Sequence, residues 1–338
     1  MLKDENQINE RIPFKAERTP LIHDMPTRVG VMCTHTKVIL KGTLNVSAGT
    51  VNGASVGENP GGLLQSLKVQ ATTLYNGYPT GTLKNLVPRS ILRRRIFDRG
   101  RYLPDISLGV NGFNGAAGAY ILNQPFELNY AIPWLRRPFD TALDTGMYGS
   151  VQLTILNGAR DIQFTGNDRT FDYSGVAWDI YHYFERFDGV GNGPIAVMYD
   201  DDLKRNISGA NTRLQLNKEL PNDGAYIDIL WMTESTNSAL VDTIINKITL
   251  QSGVEQWYEK FSDAIKAEMQ DPVLDVSANT VLTGLYYSPI IQDGLLTGAK
   301  PNVQAIIDQN NPGVDDILMA RRRIQMIPAQ YVKSAKAA

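Results

Sequence analysis

Apolar and polar positions alternate with a period of two along much of the chain. "KVILKGTLNV" sets Val38, Leu40, Gly42, Leu44 and Val46 on one side, as a strand with one face on a core requires. "LKVQATTLYNG" repeats the pattern with Leu67, Val69 and Ala71 and stops at Asn76-Gly77, a tight-turn pair. "PFELNYAIPW" alternates through Phe126, Leu128, Tyr130 and Ile132, and "VQLTILNG" carries Val151, Leu153 and Ile155 into a second Asn-Gly at 157 to 158. "VAWDIYHYFERF", from Val176 to Phe187, is rich in the aromatic and branched residues that strands favour. A Gly-rich hinge, "DGVGNGP" at 188 to 194, follows, and the series restarts. "TRLQLNKEL", "AYIDILWMTE", "INKITLQSG", "GLYYSPII" and "VQAIIDQ" predict further short strands, and "DDILMARRRIQMIPA" a last one.

Few stretches carry a helical period. "VEQWYEKFSDAIKAEMQ" repeats Trp257, Phe261, Ile265 and Met269 every four residues, predicting a helix from Val254 that ends before Pro272. "VPRSILRRRIF" predicts a shorter one over 89 to 97. Strand, glycine turn and helix therefore follow one another once in each half, with the hinge between them, which predicts a duplicated β-sandwich. The expected division is an arm over residues 1 to 36, where neither period holds, sandwiches over 37 to 190 and 191 to 330, and a tail over 331 to 338.

Composition narrows the function. With 338 residues, 43% hydrophobic and 20% charged, the chain can bury a real core. Its 33 basic against 35 acidic side chains leave a formal charge of −2, whereas a protein that holds DNA by neutralising phosphates is normally basic. Cys33 is the sole cysteine, so an intrachain disulfide and a cysteine-based zinc site are excluded. His23, His35 and His182 lack metal-ligand spacing, and neither a metal nor a cofactor is expected. The N-terminus has no apolar signal-peptide core and no run of 18 apolar residues occurs, so a soluble protein of the cytoplasm, or one assembled there, is expected.

Motif by motif, catalysis finds no support. "GASVG" at 53 to 57 matches a nucleophile elbow with Ser55, but Pro60, Gly61 and Gly62 stand where its helix should start, and the segment reads as a loop. "SLGVNGFNGAAGAY" spaces Gly109, Gly112, Gly115 and Gly118 three apart and reads as a long interaction loop. "YDDDLKRN" fails the calcium-loop pattern and reads as a solvated acidic turn over Asp200, Asp201 and Asp202. The sequons at Asn45 and Asn206 are expected to be silent without a secretory signal. No acid–base pair, nucleophile or phosphate loop is left, so a structural or binding protein rather than an enzyme is expected.

Two arginine triplets remain. Arg93, Arg94 and Arg95 fall in the short helix, where three successive residues span most of the circumference. In the last strand Arg321 and Arg323 share one face and Arg322 takes the other. Neither makes the single basic face that DNA tracking needs, and Arg93, Arg94, Arg95, Arg321 and Arg323 are read as charge anchors between subunits. Lys3, Arg11, Lys15 and Arg18 are read as the charged residues of an arm that orders against a neighbour or a lipid surface.

The run "VILKGTLNVSAGTVNGASVGENPGGLLQSLKVQATTLYNG", sharpest over residues 38 to 77, resembles the opening of the major capsid proteins of tailless, membrane-containing icosahedral bacteriophages. The resemblance implies an all-β double jelly-roll, two successive eight-stranded β-sandwiches with a few short helices. It also implies a homotrimer acting as a pseudo-hexagonal capsomer, neighbouring capsomers, penton or minor capsid proteins and an internal lipid membrane as partners, and a place in the virion after assembly in the host cytoplasm. No specific nucleic acid is implied. The alternative is a carbohydrate-binding or carbohydrate-active β-sandwich, which needs exposed aromatics on one sheet face, with Trp178, Tyr181 and Tyr183 as candidates.

Overall fold

A computed structural model describes residues 6–47, 63–99, 117–132, 138–159, 169–186, 194–207, 213–216, 220, 223–234, 240–242, 244–269, 282–291, 303–309 and 315–334. Among the described residues, eight strands fall before the hinge: β1 (Asn6–Pro13), β2 (Pro20–Asp24), β3 (Met32–Val46), β4 (Leu64–Thr73), β5 (Gly81–Leu86), β6 (Gly118–Asn129), β7 (Tyr148–Asn157) and β8 (Phe171–Glu185). Eight follow it: β9 (Ala196–Ile207), β10 (Arg213–Leu216), β11 (Ala225–Glu234), β12 (Ile245–Ser252), β13 (Glu255–Phe261), β14 (Leu285–Pro289), β15 (Val303–Gln309) and β16 (Asp315–Met326). Helix α1 (Pro88–Arg99) follows β5, α2 (Ser262–Met269) follows β13, and α3 (Ala329–Ser334) follows β16.

The sheets show the duplication. One four-stranded sheet runs β1-β8-β3-β6, another runs β10-β15-β12-β13, and an eight-stranded sheet runs β14-β11-β16-β9-β5-β4-β7-β2. Cut between β9 and β5, the large sheet yields β2-β7-β4-β5 for the first half and β14-β11-β16-β9 for the second. Each half then holds two four-stranded sheets in the same order, strand for strand, with numbers shifted by eight. These are two jelly-rolls. They are joined edge to edge where β5 pairs with β9 in parallel, through Lys84–Asp200 and Asn85–Asp201.

The alternating residues fill the cores. Val38, Leu40, Leu67, Val69, Leu153, Ile155 and Trp178 are all buried in the first roll. In the second, Ile229, Trp231, Ile248, Leu250, Ile307 and Met319 do the same. Both tryptophans satisfy their indole N–H, Trp178 on Asn157 Oδ1 at 2.8 Å and Trp231 on Ser288 Oγ at 3.1 Å, so neither leaves an unpaired donor in apolar surroundings.

Three expectations change. The arm is not an arm: β1 pairs with β8 and β2 with β7 along their whole lengths, so residues 6 to 24 supply a strand to each sheet of the first roll. The inward positions of β2 and just beyond it do alternate, as Leu21, His23 and Met25, but the middle one is polar, so no apolar period registers. The helix from Val254 begins only at Ser262, because Gly253, at φ +60, turns the chain back and residues 255 to 261 pair with β12 as β13. Each half therefore contains strand, turn, strand and helix, a longer shared unit than the sequence suggests. The tail begins with α3, whose Tyr331 packs edge-on against Tyr78 with ring centroids 5.8 Å apart. The hinge change-over at 190 to 191, Lys3, Ser55 and most of the glycine-spaced loop lie outside the described residues.

One glycine is dictated by close approach. Gly42 sits at φ +126 beside a register shift in the β3–β8 ladder, and a Cβ there would overlap the carbonyl oxygen of Gly175. Gly42→Ala is expected to lower stability by about 2–4 kcal/mol, against about 1 kcal/mol for Gly77→Ala, where the added methyl meets open space. Chemical denaturation of the two variants side by side checks the difference.

Candidate functional site

The two arginine triplets and the acidic run meet at the join between the rolls. Antiparallel pairing of β16 with β9 sets Arg321 opposite Asp201, Arg322 opposite Asp200 and Arg323 opposite Tyr199. The ladders on either side extend one of these pairs into a row. Lys84 on β5 lies across from Asp200, and Asp228 on β11 lies across from Arg322. Lys84, Asp200, Arg322 and Asp228 thus form a line of alternating charge across four strands and across the seam. All four are buried, with Asp228 at 0% and Arg322 at 1% exposure.

Helix α1 closes the row from above. Arg94 donates from Nη1 to Asp200 Oδ1 at 2.7 Å and lies 3.5 Å from Asp228 Oδ1. Asp98, one turn on, accepts from Arg322 Nη2 at 2.8 Å and from Asn129 Nδ2 at 3.1 Å. Arg89, nearer the start of α1, reaches Glu234 on β11, which also takes Lys204 at 3.0 Å. The apolar residues of α1 divide in the same way: Ile91 and Leu92 belong to the first core, Ile96 and Phe97 to the second. Because the helix is buried on two sides, its sequence carries no single apolar face.

Three cations (Lys84, Arg94, Arg322) face three anions (Asp98, Asp200, Asp228), so the cluster is neutral, as burial demands. Burial would raise the Asp98 carboxyl, but the Arg322 guanidinium outweighs it and holds the group below its ordinary value. At Asp228 burial prevails over Arg322 and Arg94, and the carboxyl is raised. Burial pulls Lys84 down to about 8 against the opposing pull of Asp200, with its ammonium 5.2 Å from the centre of the Tyr130 ring. Behind the row, Asp202 accepts the Val87 amide at 2.6 Å at the start of α1, yet burial pushes its carboxyl up to about 8. It is therefore protonated at neutral pH.

These contacts correct the reading of the triplets. Arg94, Arg321 and Arg322 are buried within the chain and pair with its own aspartates rather than with a neighbour. Arg323 is less enclosed, pairing with Asp223 while its guanidinium lies 5.2 Å from the Tyr199 ring centre. Arg93 and Arg95 are half-buried. Asp200, Asp201 and Asp202 form no solvated turn but the middle of β9. Of the arm residues, Arg11 lies on β1 within 3.8 Å of Asp179, and Lys15 and Arg18 are exposed in the turn before β2. A signal for the seam existed, since "VMYDDDL" and "LMARRRIQM" both embed their charge runs in apolar residues.

The space left at the seam is small. A cavity of about 10 Å³, lined by Arg94, Asp98, Asn129, Asp200 and Arg322 among others, is the size of one water and far too small for a substrate. Among the described residues no group of three metal-ligating side chains occurs, and no helix is long and apolar enough to cross a membrane. His182, the base an elbow at Ser55 would need, is buried against His23. Trp178 lies in the core, on the opposite side of β8 from Tyr181 and Tyr183, so the three cannot form one sugar-binding platform.

No protein-family model matches the sequence, and comparison with curated proteins finds no match. Solved structures do match over nearly the whole chain. The STIV MCP superposes with a TM-score of 0.70 at 14% identity, covering 96% of this chain and 97% of that one. The atomic structure of Sulfolobus Turreted Icosahedral Virus gives 0.69 at 14% identity, covering 99% and 98%. The major capsid protein of bacteriophage PM2 gives 0.57 at 11% identity, covering 96% and 98%. The chain has the double jelly-roll fold of these capsid proteins.

Two outcomes follow from the seam. Arg322→Met leaves Asp98 and Asp228 buried without their partner and is expected to cost about 3–5 kcal/mol. Arg213→Met, at an exposed pair 3.8 Å from Asp308, should cost less than about 1 kcal/mol in the same denaturation assay. For Asp202, a carboxyl raised from 3.8 to about 8 keeps its proton in the folded chain after the unfolded chain has lost it. It therefore costs stability progressively as pH rises through that window. Asp202→Asn should remove this slope, gaining up to about 5 kcal/mol near the top of the window and little at its foot, as unfolding curves across pH would show.

Proposed function

We propose that this chain is a major capsid protein that trimerises into pseudo-hexagonal capsomers and builds an icosahedral shell around an internal membrane. The observation that carries the reading is the pairing of two equivalent jelly-rolls in one eight-stranded sheet. Three such two-lobed units place six similar lobes around a three-fold axis, which gives a six-sided tile from a single gene product. The seam suits that task, because a tile repeated through a shell needs a fixed angle between its lobes.

The role is structural rather than catalytic, and its place is the virion, after assembly in the host cytoplasm. Partners are other copies of the chain, neighbouring capsomers, penton or minor capsid proteins, and the internal lipid membrane. The boundary between the lobes lies near residues 190 to 191. Within the triplets, the partial exposure of Arg93, Arg95 and Arg323 supports a contact with a neighbour at these three. Edge strands such as β6, with Ile121 70% exposed, gain protection when copies associate.

Light scattering behind a sizing column, followed by electron microscopy, tests the reading. A particle of three chains with a hexagonal outline is expected. A stable monomer, above all one that binds polysaccharide, would overturn it.

A further inference from the structure

At the lateral edge of the first roll its two sheets present their outermost strands, β1 and β2, to one another. Between the inward-facing Leu21 and Met25, polar groups also span the gap. The carboxylate of Glu10 on β1 lies 2.7 Å from His23 Nδ1 on β2. His23 Nε2 lies 2.8 Å from His182 Nε2 on β8, and His182 Nδ1 lies 2.9 Å from the Thr36 hydroxyl on β3. The two imidazoles are nearly parallel, at 9°, and both are buried, whereas the Glu10 side chain is 52% exposed. The line thus runs from solvent into the roll.

The hydrogen bonds fix where the protons sit. Two ring nitrogens at 2.8 Å share one proton: with none they have no bond, and with two they repel. A carboxylate can only accept, so the contact with Glu10 puts the single ring proton of His23 on Nδ1 and leaves its Nε2 bare. His182 must then donate from Nε2 and accept the Thr36 hydroxyl at Nδ1. One extra proton fits, because His23 can hold both N–H groups while His182 moves its own proton to Nδ1 and donates to Thr36 Oγ1. A second extra proton would set two N–H groups against each other.

Among the described residues, the remaining groups packed on the pair supply no carboxylate. Thr36 leads on to the Tyr130 hydroxyl at 3.4 Å, and the Cys33 thiol lies nearby, pushed up by burial. From β7 the residue opposite His23 is Leu153. Phe184 lies 6.5 Å from His182, ring centre to ring centre, with the Arg28 guanidinium beyond it.

We propose that Glu10, His23, His182 and Thr36 form an acid-released clasp, which holds β1 and β2 to the body of the first roll at neutral pH and frees them in acid. Once the edge opens, both histidines take up a proton; closed, the pair has room for only one. The ratio of open to closed edge therefore rises about tenfold for each unit of pH lost. Burial, with His23 beside it, lowers His182 from 6.5 to about 3, so the rise runs downward through that window. The clasp is independent of the capsid reading, since it needs only the single chain.

Hydrogen–deuterium exchange on the full chain between about pH 6 and about pH 4.5, inside that window, tests it, with rates corrected for intrinsic exchange. Protection over residues 6 to 13 and 20 to 24 should fall about tenfold per pH unit, while β12 and β15 in the second roll stay unchanged. His182→Gln, which keeps a donor toward His23 but cannot be protonated, should abolish the slope. Protection that is flat with pH, that falls equally in both rolls, or that keeps its slope in His182→Gln would overturn the proposal. Imidazole NMR of the unmodified chain gives a reading independent of the variant. His182 should stay neutral in the folded state near pH 5, and two charged imidazoles there would also overturn it.

Discussion

Two jelly-rolls become one body through the row of alternating charge that crosses from β5 to β11. Lys84, Asp200, Arg322 and Asp228 occupy successive strands of one sheet, and Arg94 and Asp98 of α1 complete the neutralisation. A sheet seam made of apolar residues would tolerate sliding by two residues, because alternate positions look alike. A charge row does not, since a slip sets like charges together or leaves a buried ion alone. The cost of desolvating six ions makes this a poor source of net stability. Its physical value lies in register, for the parallel β5–β9 pairing is short.

Helix α1 converts that register into a fixed angle. It gives Ile91 and Leu92 to one core, Ile96 and Phe97 to the other, and uses the residues between them for ion pairs. Neither roll can tilt without pulling an apolar side chain out of a core or an arginine away from its carboxylate. The protonated Asp202, bonded to the Val87 amide, ties the start of the same helix to β9.

The N-terminal strands stand in contrast. They close the far edge of the first roll through Glu10, His23 and His182, with one face of the group open to solvent. Buried ion pairs with no path to water fix the centre of the molecule, while a single polar chain reaching the surface fastens its edge. The centre keeps its register because its charges cancel, and the edge responds to acid because its histidines cannot both be charged.

What the sequence determined by itself was everything that repeats locally. Alternation at Val38 to Val46, Leu67 to Ala71 and Val151 to Ile155 fixed strands and their inner faces, and the segment over 38 to 77 pointed to the double jelly-roll. Asn76-Gly77 and Gly253 marked turns, whereas Asn157-Gly158 ends β7 with its glycine amide bonded to the Leu63 carbonyl. Long-range pairing decided the rest. Residues 6 to 24 became strands because β8 and β7 offered them ladders, and residues 255 to 261 left the helical period for a hairpin with β12. Arg322 and Asp200 lie more than a hundred positions apart, and each alone reads as a solvated charge. Only the sheet order sets them opposite one another, and only burial makes that pairing obligatory.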